Sequence, residues 1–326
     1  MLTLTINVNN LIHNIKFLRQ KTSAEFCAVV KANAYGHGLV VAKYINDYVD
    51  SFAVAQGEEA VQLRKFTAKP IYVLSPSVDV GDNNIIYSAM SKNDLRHKRV
   101  CVKINTGMNR LGILPEEANS FLKLCSELKT QVDSIYTHFS DVEYAPVQLE
   151  RFMSVKGDYK RHAAASNFIK LDKSYHLDMV RCGLALYGYG DPELKPAMSA
   201  YTEVYNVLSV KAGDKIGYSN SAPRDMTVAV LGAGYADCIR RKQQSFYIGG
   251  KICATVGNIC MDMCLVDVSG LKVKAGDRAE YLCENIGGET IAQKNNTIVY
   301  EILTSFGSRC RRIYEQTGIK KAIYFG

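Results

Sequence analysis

Residues 26–38 read Phe26-Cys27-Ala28-Val29-Val30-Lys31-Ala32-Asn33-Ala34-Tyr35-Gly36-His37-Gly38. A short apolar run stops at a lysine, and small residues follow. A run this brief and this apolar has the pattern of a strand buried on both faces of a parallel sheet. A lysine at its end either snorkels to solvent, the commoner case for lysines at large, or is held in a dry pocket. The small residues leave room beside it for a ligand. A partly desolvated lysine has a lowered pKa and can form a Schiff base.

The same texture extends in both directions. Upstream, Leu11, Ile12, Ile15 and Leu18 form the stripe of an amphipathic helix over 8–22, with Asn7 or Asn9 as N-cap. Downstream, buried strands are expected at Phe52–Ala55, Ile71–Leu74, Val100–Ile104, Ser134–Phe139, His162–Ala165 and Met179–Gly183, with a weakly patterned one at Ile85–Ala89. Helices are expected between them at Gly57–Phe66, Pro115–Leu128 and Val147–Val155. Alternation of this kind means βαβ units. With Cys27–Val30 the strands suit a (β/α)8 TIM-like barrel over residues 1–195. That is compact for a fold that typically takes ~250 residues, and the weak fourth unit is where it would be trimmed.

Past residue 195 the pattern changes to strands separated by turns: Thr227–Leu231, Phe246–Ile248, Cys253–Val256, Met263–Val268 and Arg278–Leu282, with one helical piece at Thr297–Ser305. Residues 196–326 therefore read as a mainly β domain, with residues 1–7 available to pair with it. The net charge of +8 is scattered; the densest group, Arg309, Arg311 and Arg312, reads as a solvated or ion-paired edge and not a nucleic-acid face. The ten cysteines include no C-x-x-C pair and several lie in apolar runs, the pattern of reduced, buried thiols and not of a metal site. No signal peptide and no apolar run of membrane-spanning length is visible, which points to a soluble cytoplasmic protein.

The stretch Ala28–Gly38 resembles the lysine motif that holds pyridoxal 5'-phosphate (PLP) in alanine racemases. Lys103-Ile104-Asn105-Thr106-Gly107-Met108-Asn109-Arg110-Leu111-Gly112, Thr137-His138-Phe139 and Met179-Val180-Arg181-Cys182-Gly183 resemble further motifs of that family. So do Gly217-Tyr218, Gly234-Tyr235-Ala236-Asp237, the segment from Val256-Gly257 to Met261-Asp262, and Tyr300-Glu301-Ile302-Leu303. The order matches over essentially the whole chain.

The resemblance implies roles. Lys31 would carry PLP and act as one acid/base, and Tyr218 would act as the second from the opposite face, as racemisation requires. Tyr35, Ser166, the amides near Gly183 and Leu184, and Tyr300 would bind the phosphate. Arg181 would face the ring nitrogen and disfavour its protonation, with His138 supporting both. Arg110, Tyr235 and Met261 would meet the substrate, and Lys103 matches a lysine that is carbamylated in many relatives. No metal is implied. The resemblance also implies a homodimer with shared active sites, supplying D-alanine for bacterial peptidoglycan.

Four positions depart from the family pattern. Ala165 stands for asparagine, Cys238 for glycine, Asn258 for arginine and Asn105 for aspartate. None removes a proton-transfer group. The alternatives are a racemase of broader range that also takes serine, a barrel-fold PLP decarboxylase of basic amino acids, and a non-catalytic PLP carrier. Residues 196–326 argue against the carrier, and the Tyr218 and Val256–Asp262 motifs argue against the decarboxylase.

Overall fold

The structure is a computed structural model that describes residues 1–317 and the strand 319–323. Residue 318 and residues 324–326, the tail of the expected second domain, lie outside the described residues. Two compact units emerge: residues 10–34 with 39–195, and residues 1–9, 35–38 and 196–326.

The first strand, β1 (Thr3–Asn7), belongs to the second of these units. The other unit is a closed parallel barrel of β2 (Glu25–Val29), β3 (Ser51–Val54), β4 (Ile71–Val73), β5 (Ile85–Ala89), β6 (Arg99–Lys103), β7 (Gln131–Tyr136), β8 (Arg161–Ala165) and β9 (Met179–Cys182). Closure is the parallel pairing of β2 with β9, Glu25 opposite Met179 through Ala28 opposite Cys182. The TIM-like architecture expected from the strand–helix alternation is therefore present. Every strand expected there forms, including the weakly patterned Ile85–Ala89. The trimming falls on both sides of that strand. No helix separates β4 from β5, and only the 3-10 turn Lys92–Arg96 separates β5 from β6.

Where helices do form, they seal the barrel wall with their apolar stripes. Ala118, Phe121, Leu122 and Cys125 of the helix Pro115–Glu127 and Phe152 of the helix Ala145–Met153 pack with Val100, Val102 and Ile135 of β6 and β7. Burying each large apolar side chain contributes about 1.5–3 kcal/mol. The first helix spans Val8–Arg19, which leaves Asn7, not Asn9, before its first residue. It stops short of residue 22 because the Thr22 hydroxyl accepts the Ala24 N–H at 3.1 Å and turns the chain. Its fully buried Asn14 donates to the carbonyls of Leu186 and Lys195 and accepts from the Lys195 N–H.

The second unit is a β domain. Its long strand β10 (Met198–Val210) pairs antiparallel with β1. Then come the short hairpin strands β11 (Lys215–Ile216) and β12 (Asn220–Ser221), followed by β13 (Met226–Leu231), β14 (Ser245–Ile248), β15 (Lys251–Val256), β16 (Cys264–Asp267) and β17 (Arg278–Leu282). β18 (Arg311–Gln316) pairs parallel with β1, and β19 (Ile319–Ile323) lies beside β18. These strands, apart from the hairpin, make one nine-stranded sheet. A second helix, Gly288–Lys294, precedes the expected one, which forms as Val299–Ser305. Its glycine start concealed it.

Arg309 pairs with Asp262 at 2.8 Å and Asp237 at 3.4 Å, as an ion-paired edge should. Arg312 is not an edge residue: it is buried and donates to the carbonyls of Gly36, Phe306, Gly307 and Cys310. A planar guanidinium can satisfy several carbonyls at once, so an arginine on an inward position of β18 becomes a loop clamp. The segment after Lys31 has a regular backbone. Ala32, Asn33, Ala34 and Tyr35 all have φ of 51–53°, making a left-handed helical turn. Among the described residues, no helix is long and apolar enough to cross a membrane.

Candidate active site

Arg181 sits near the end of β9 and is 4% exposed. Its Nη1 donates to His162 Nδ1 at 2.6 Å, and its Nη2 donates to the carbonyls of Thr137 (2.8 Å) and Ala163 (3.1 Å) and reaches His138 Nδ1 at 3.3 Å. Its guanidinium carbon lies 5.3 Å from the ring centre of Tyr136. All of these partners are neutral. His162 accepts on Nδ1, so its proton is on Nε2, which meets Ser134 Oγ at 3.1 Å. Burial, then the Arg181 charge, holds His162 well below its ordinary pKa. The same two causes in the same order bring His138 down to about 3. Arg181 is thus a buried cation in a neutral cage, with both Nη groups engaged and, among the described residues, no bond on Nε. That leaves a fixed, charged donor for a ligand atom.

Lys31 follows β2 and is open to solvent. Burial, then the charge of Arg110, lowers its pKa; Glu59 opposes them, and Arg181 adds to them. Glu59 also anchors the turn. One carboxylate oxygen accepts the Ala32 N–H at 2.6 Å, and the other accepts Ala55 N–H at 2.7 Å and Gln56 N–H at 3.2 Å. Asn33 Oδ1 accepts the Leu39 N–H at 2.9 Å. The left-handed turn costs about 1–2 kcal/mol per residue, and these bonds oppose its relaxation. Such strain concentrates at functional sites.

Lys103, Arg110 and His138 line one recess of the barrel unit. Lys103 is 7% exposed and its amine lies 5.6 Å from the ring centre of Tyr136. Burial, then Arg110 and Arg181, brings its pKa down to about 8. Four cationic side chains acting on one another at one end of a barrel suit an anionic guest.

Ser166 follows β8. Its hydroxyl accepts the N–H groups of Gly183 (3.0 Å) and Ala185 (3.2 Å), at the start of the 3-10 turn Leu184–Tyr187. Both lone pairs are then used, and its proton faces Cys182 Sγ at 3.9 Å, a weak partner that an anion's oxygen would displace. A hydroxyl donor beside the N–H groups of a helical turn is the chemistry of a phosphate cradle. The donor set therefore fits PLP: an amine for a carbonyl carbon, a cation for a ring nitrogen, and a hydroxyl–amide cluster for a phosphate.

The β domain holds the remaining expected residues. Tyr218 stands at the tip of the β11–β12 hairpin, between Gly217 (φ 56°) and Ser219 (φ 59°), and is 69% exposed. Its carbonyl accepts Asn220 Nδ2 at 2.6 Å and Asn258 Nδ2 at 3.1 Å. Tyr235 and Met261 lie on two segments zipped by Tyr235 N–H to Cys260 O and Ala236 N–H to Met261 O, both at 3.0 Å. A Cβ on Gly234 would run into those two carbonyls, which is why the motif needs glycine there. Tyr35 and Tyr300 meet with ring centres 6.0 Å apart.

His162, Tyr136 and Glu59 escaped the sequence reading. His162 and Tyr136 stood only as members of buried strands, and Glu59 as one acid among several in a helix. Only strand order places them around Arg181 and Lys31.

Residues 6–191 match the family described as alanine racemase, N-terminal domain, and residues 197–314 match alanine racemase, C-terminal domain. A curated alanine racemase of Deinococcus deserti is 33% identical over 92% of this chain and 95% of its own. One of Chlorobaculum tepidum is 34% identical over 94% of each chain. Among solved structures, an alanine racemase of Clostridium difficile 630 superposes with a TM-score of 0.93 at 28% identity, covering 99% of this chain and 98% of that one. An alanine racemase of Bartonella henselae with covalently bound pyridoxal phosphate gives 0.87 at 30% identity, covering 96% and 99%.

Proposed function

The chain belongs to the alanine racemase family, and on that premise we propose that it interconverts L- and D-alanine with PLP held on Lys31 and with Lys31 and Tyr218 as its two bases. Arg181 carries this reading. It is a buried cation held by neutral partners with a donor to spare, the group needed to meet a ring nitrogen and leave it unprotonated. When bound, PLP supplies an electron sink that acidifies the substrate Cα–H.

The chain's residues do the rest. Lys31 Nζ, its pKa lowered by burial and by Arg110, takes or returns the Cα proton on one face. Tyr218 Oη does so on the other, its hairpin carbonyl braced by Asn220 and Asn258. Arg110 takes the substrate carboxylate, and Tyr235 and Met261 bound the side-chain pocket. Ser166, Gly183, Leu184, Tyr35 and Tyr300 take the phosphate, while His138 supports the ring and Arg181. Lys103, with an amine about half neutral near pH 8, can take up CO2 as a carbamate and pair with Arg110.

We assign residues 1–195 to the cofactor domain, with residues 1–7 paired into the other domain, and 196–326 to the domain that supplies the second base. We also assign a homodimer with shared sites, a cytoplasmic location and a role in supplying D-alanine for peptidoglycan. The described cysteines are free thiols, which suits a reducing compartment.

The test pairs two variants. Lys31→Ala should lose both the visible absorbance of bound cofactor and racemisation. Tyr218→Phe should keep the absorbance and lose most turnover in at least one direction. Normal racemisation by Tyr218→Phe would overturn the two-base assignment, and release of CO2 from a basic amino acid would move the protein to a different reaction.

A further inference from the structure

Cys238 departs from the family pattern, and the backbone there shows what the change involves. Its φ is 74°, in the left-handed region that glycine occupies without strain. It ends the turn Tyr235–Asp237, donating its N–H to Tyr235 O at 3.2 Å. Its side chain is partly exposed and turns toward the loop before β18. Its sulfur lies 2.7 Å from Ser305 O, and the Gly307 N–H reaches it at 3.5 Å. The same loop carries Cys310, which is 1% exposed. The Cys310 thiol donates to the carbonyl of Asp237, the residue beside Cys238, at 4.0 Å, and bears on the Cys238 sulfur. Buried Arg312 holds this loop by donating to the carbonyls of Phe306, Gly307 and Cys310.

We propose that Cys238 and Cys310 are an oxidisable pair, a modification site that closes into a disulfide on exposure to a peroxide. The two thiols play unequal parts. The hydrogen bond from Cys310, and after it the Gly307 N–H, draws the Cys238 thiol below its ordinary pKa against the effect of burial, with Arg312 assisting and Asp237 opposing. The hydrogen bond to Cys238, then burial, pushes Cys310 up. Cys238 is partly exposed and Cys310 is buried, so Cys238 meets the peroxide and attacks, and Cys310 resolves.

The Cys238 sulfur attacks one oxygen of hydrogen peroxide. The O–O bond breaks, a sulfenic acid forms, and the departing hydroxide takes up a proton as water. The Cys310 sulfur then attacks the Cys238 sulfur, giving up its own proton. The S–O bond breaks and a second water leaves. The two sulfurs lose two electrons in all, and the peroxide gains them. The bond ties the Tyr235 turn to the loop before β18. Of the eight other cysteines, Cys101 meets Ser88, Cys182 meets Ser166, and Cys253 and Cys260 meet backbone carbonyls.

The test uses the PLP-loaded enzyme and reads mass, so its outcome is independent of the racemase assignment. After mild hydrogen peroxide, the intact protein should lose two hydrogens and two alkylatable thiols. Digestion should yield one cross-linked peptide pair containing residues 238 and 310, and dithiothreitol should reverse the change. Cys310→Ser should instead leave a Cys238 sulfenic acid that dimedone traps, and Cys238→Gly should leave Cys310 reduced. Wild-type enzyme whose Cys238 and Cys310 are both alkylated as fully after peroxide as before it would overturn the proposal. So would a first disulfide joining any other pair.

Discussion

Replacing Arg181 by lysine preserves the charge and removes the fork, which separates two roles for this residue. In the native barrel, Nη1 serves His162 Nδ1, and Nη2 serves Thr137 O and Ala163 O. A lysine has one nitrogen on a shorter reach, so at least two of these three buried acceptors lose their partner. An unsatisfied buried acceptor costs about 1–3 kcal/mol, which makes the loss about 2–6 kcal/mol. That is a large share of the 5–15 kcal/mol typical of a folded protein. Because the chain has two compact units, a single unfolding midpoint would blend them. The assay is hydrogen exchange of the β8 and β9 amides in graded urea, for wild type and Arg181→Lys, both without cofactor. Protection of those amides should fall by about 2–6 kcal/mol, with the β13–β16 amides unchanged. Racemisation should fall as well, because a flexible ammonium cannot hold one fixed donor at a ring nitrogen. A loss below about 1 kcal/mol at β8 and β9, with normal turnover, would show that only the charge of Arg181 matters.

Two further outcomes follow from the barrel. Ser166→Ala removes the acceptor for the Gly183 and Ala185 N–H groups and a hydroxyl donor of the cradle; cofactor affinity by absorbance titration should fall by about 1–3 kcal/mol, and unchanged affinity would remove Ser166 from the phosphate site. Lys103 has a folded pKa of about 8, below its ordinary 10.5, so the fold pays for its protonation below about pH 8 and is relieved as pH rises toward 10.5. In CO2-free buffer, Lys103→Met should therefore stabilise the protein more at pH 7 than at pH 10, by up to about 3 kcal/mol at roughly 1.4 kcal/mol per pH unit; chemical denaturation showing equal effects at both pH values would contradict the cause assigned.

Much of this protein could be read along the chain, and the reasons are local. A lysine stopping a buried run, followed by Ala32-Asn33-Ala34-Tyr35, announces an unusual strand end before any fold is known. Periodicity also located all eight barrel strands, because short apolar runs are what two-sided burial demands. It missed the long strand Met198–Val210, whose inward residues alternate with exposed polar ones around a register shift between Val204 and Asn206. It missed the strand Arg311–Gln316 because three arginines near one another look solvated until one of them is found buried beneath four carbonyls.

Sequence alone singled out Lys31, Tyr218 and Arg181, because each lies in a motif that can be read along the chain. What only the tertiary structure decided is what surrounds Lys31 and Arg181. Lys31 is tuned by Arg110 and by Glu59, which is 28 positions along the chain, and Arg181 is caged by groups from residues 136–138 and 162–163. Barrel closure places the ends of distant strands side by side, and burial there removes the water that would otherwise level their pKa values. Periodicity records which residues are buried; it carries no information about which buried groups meet.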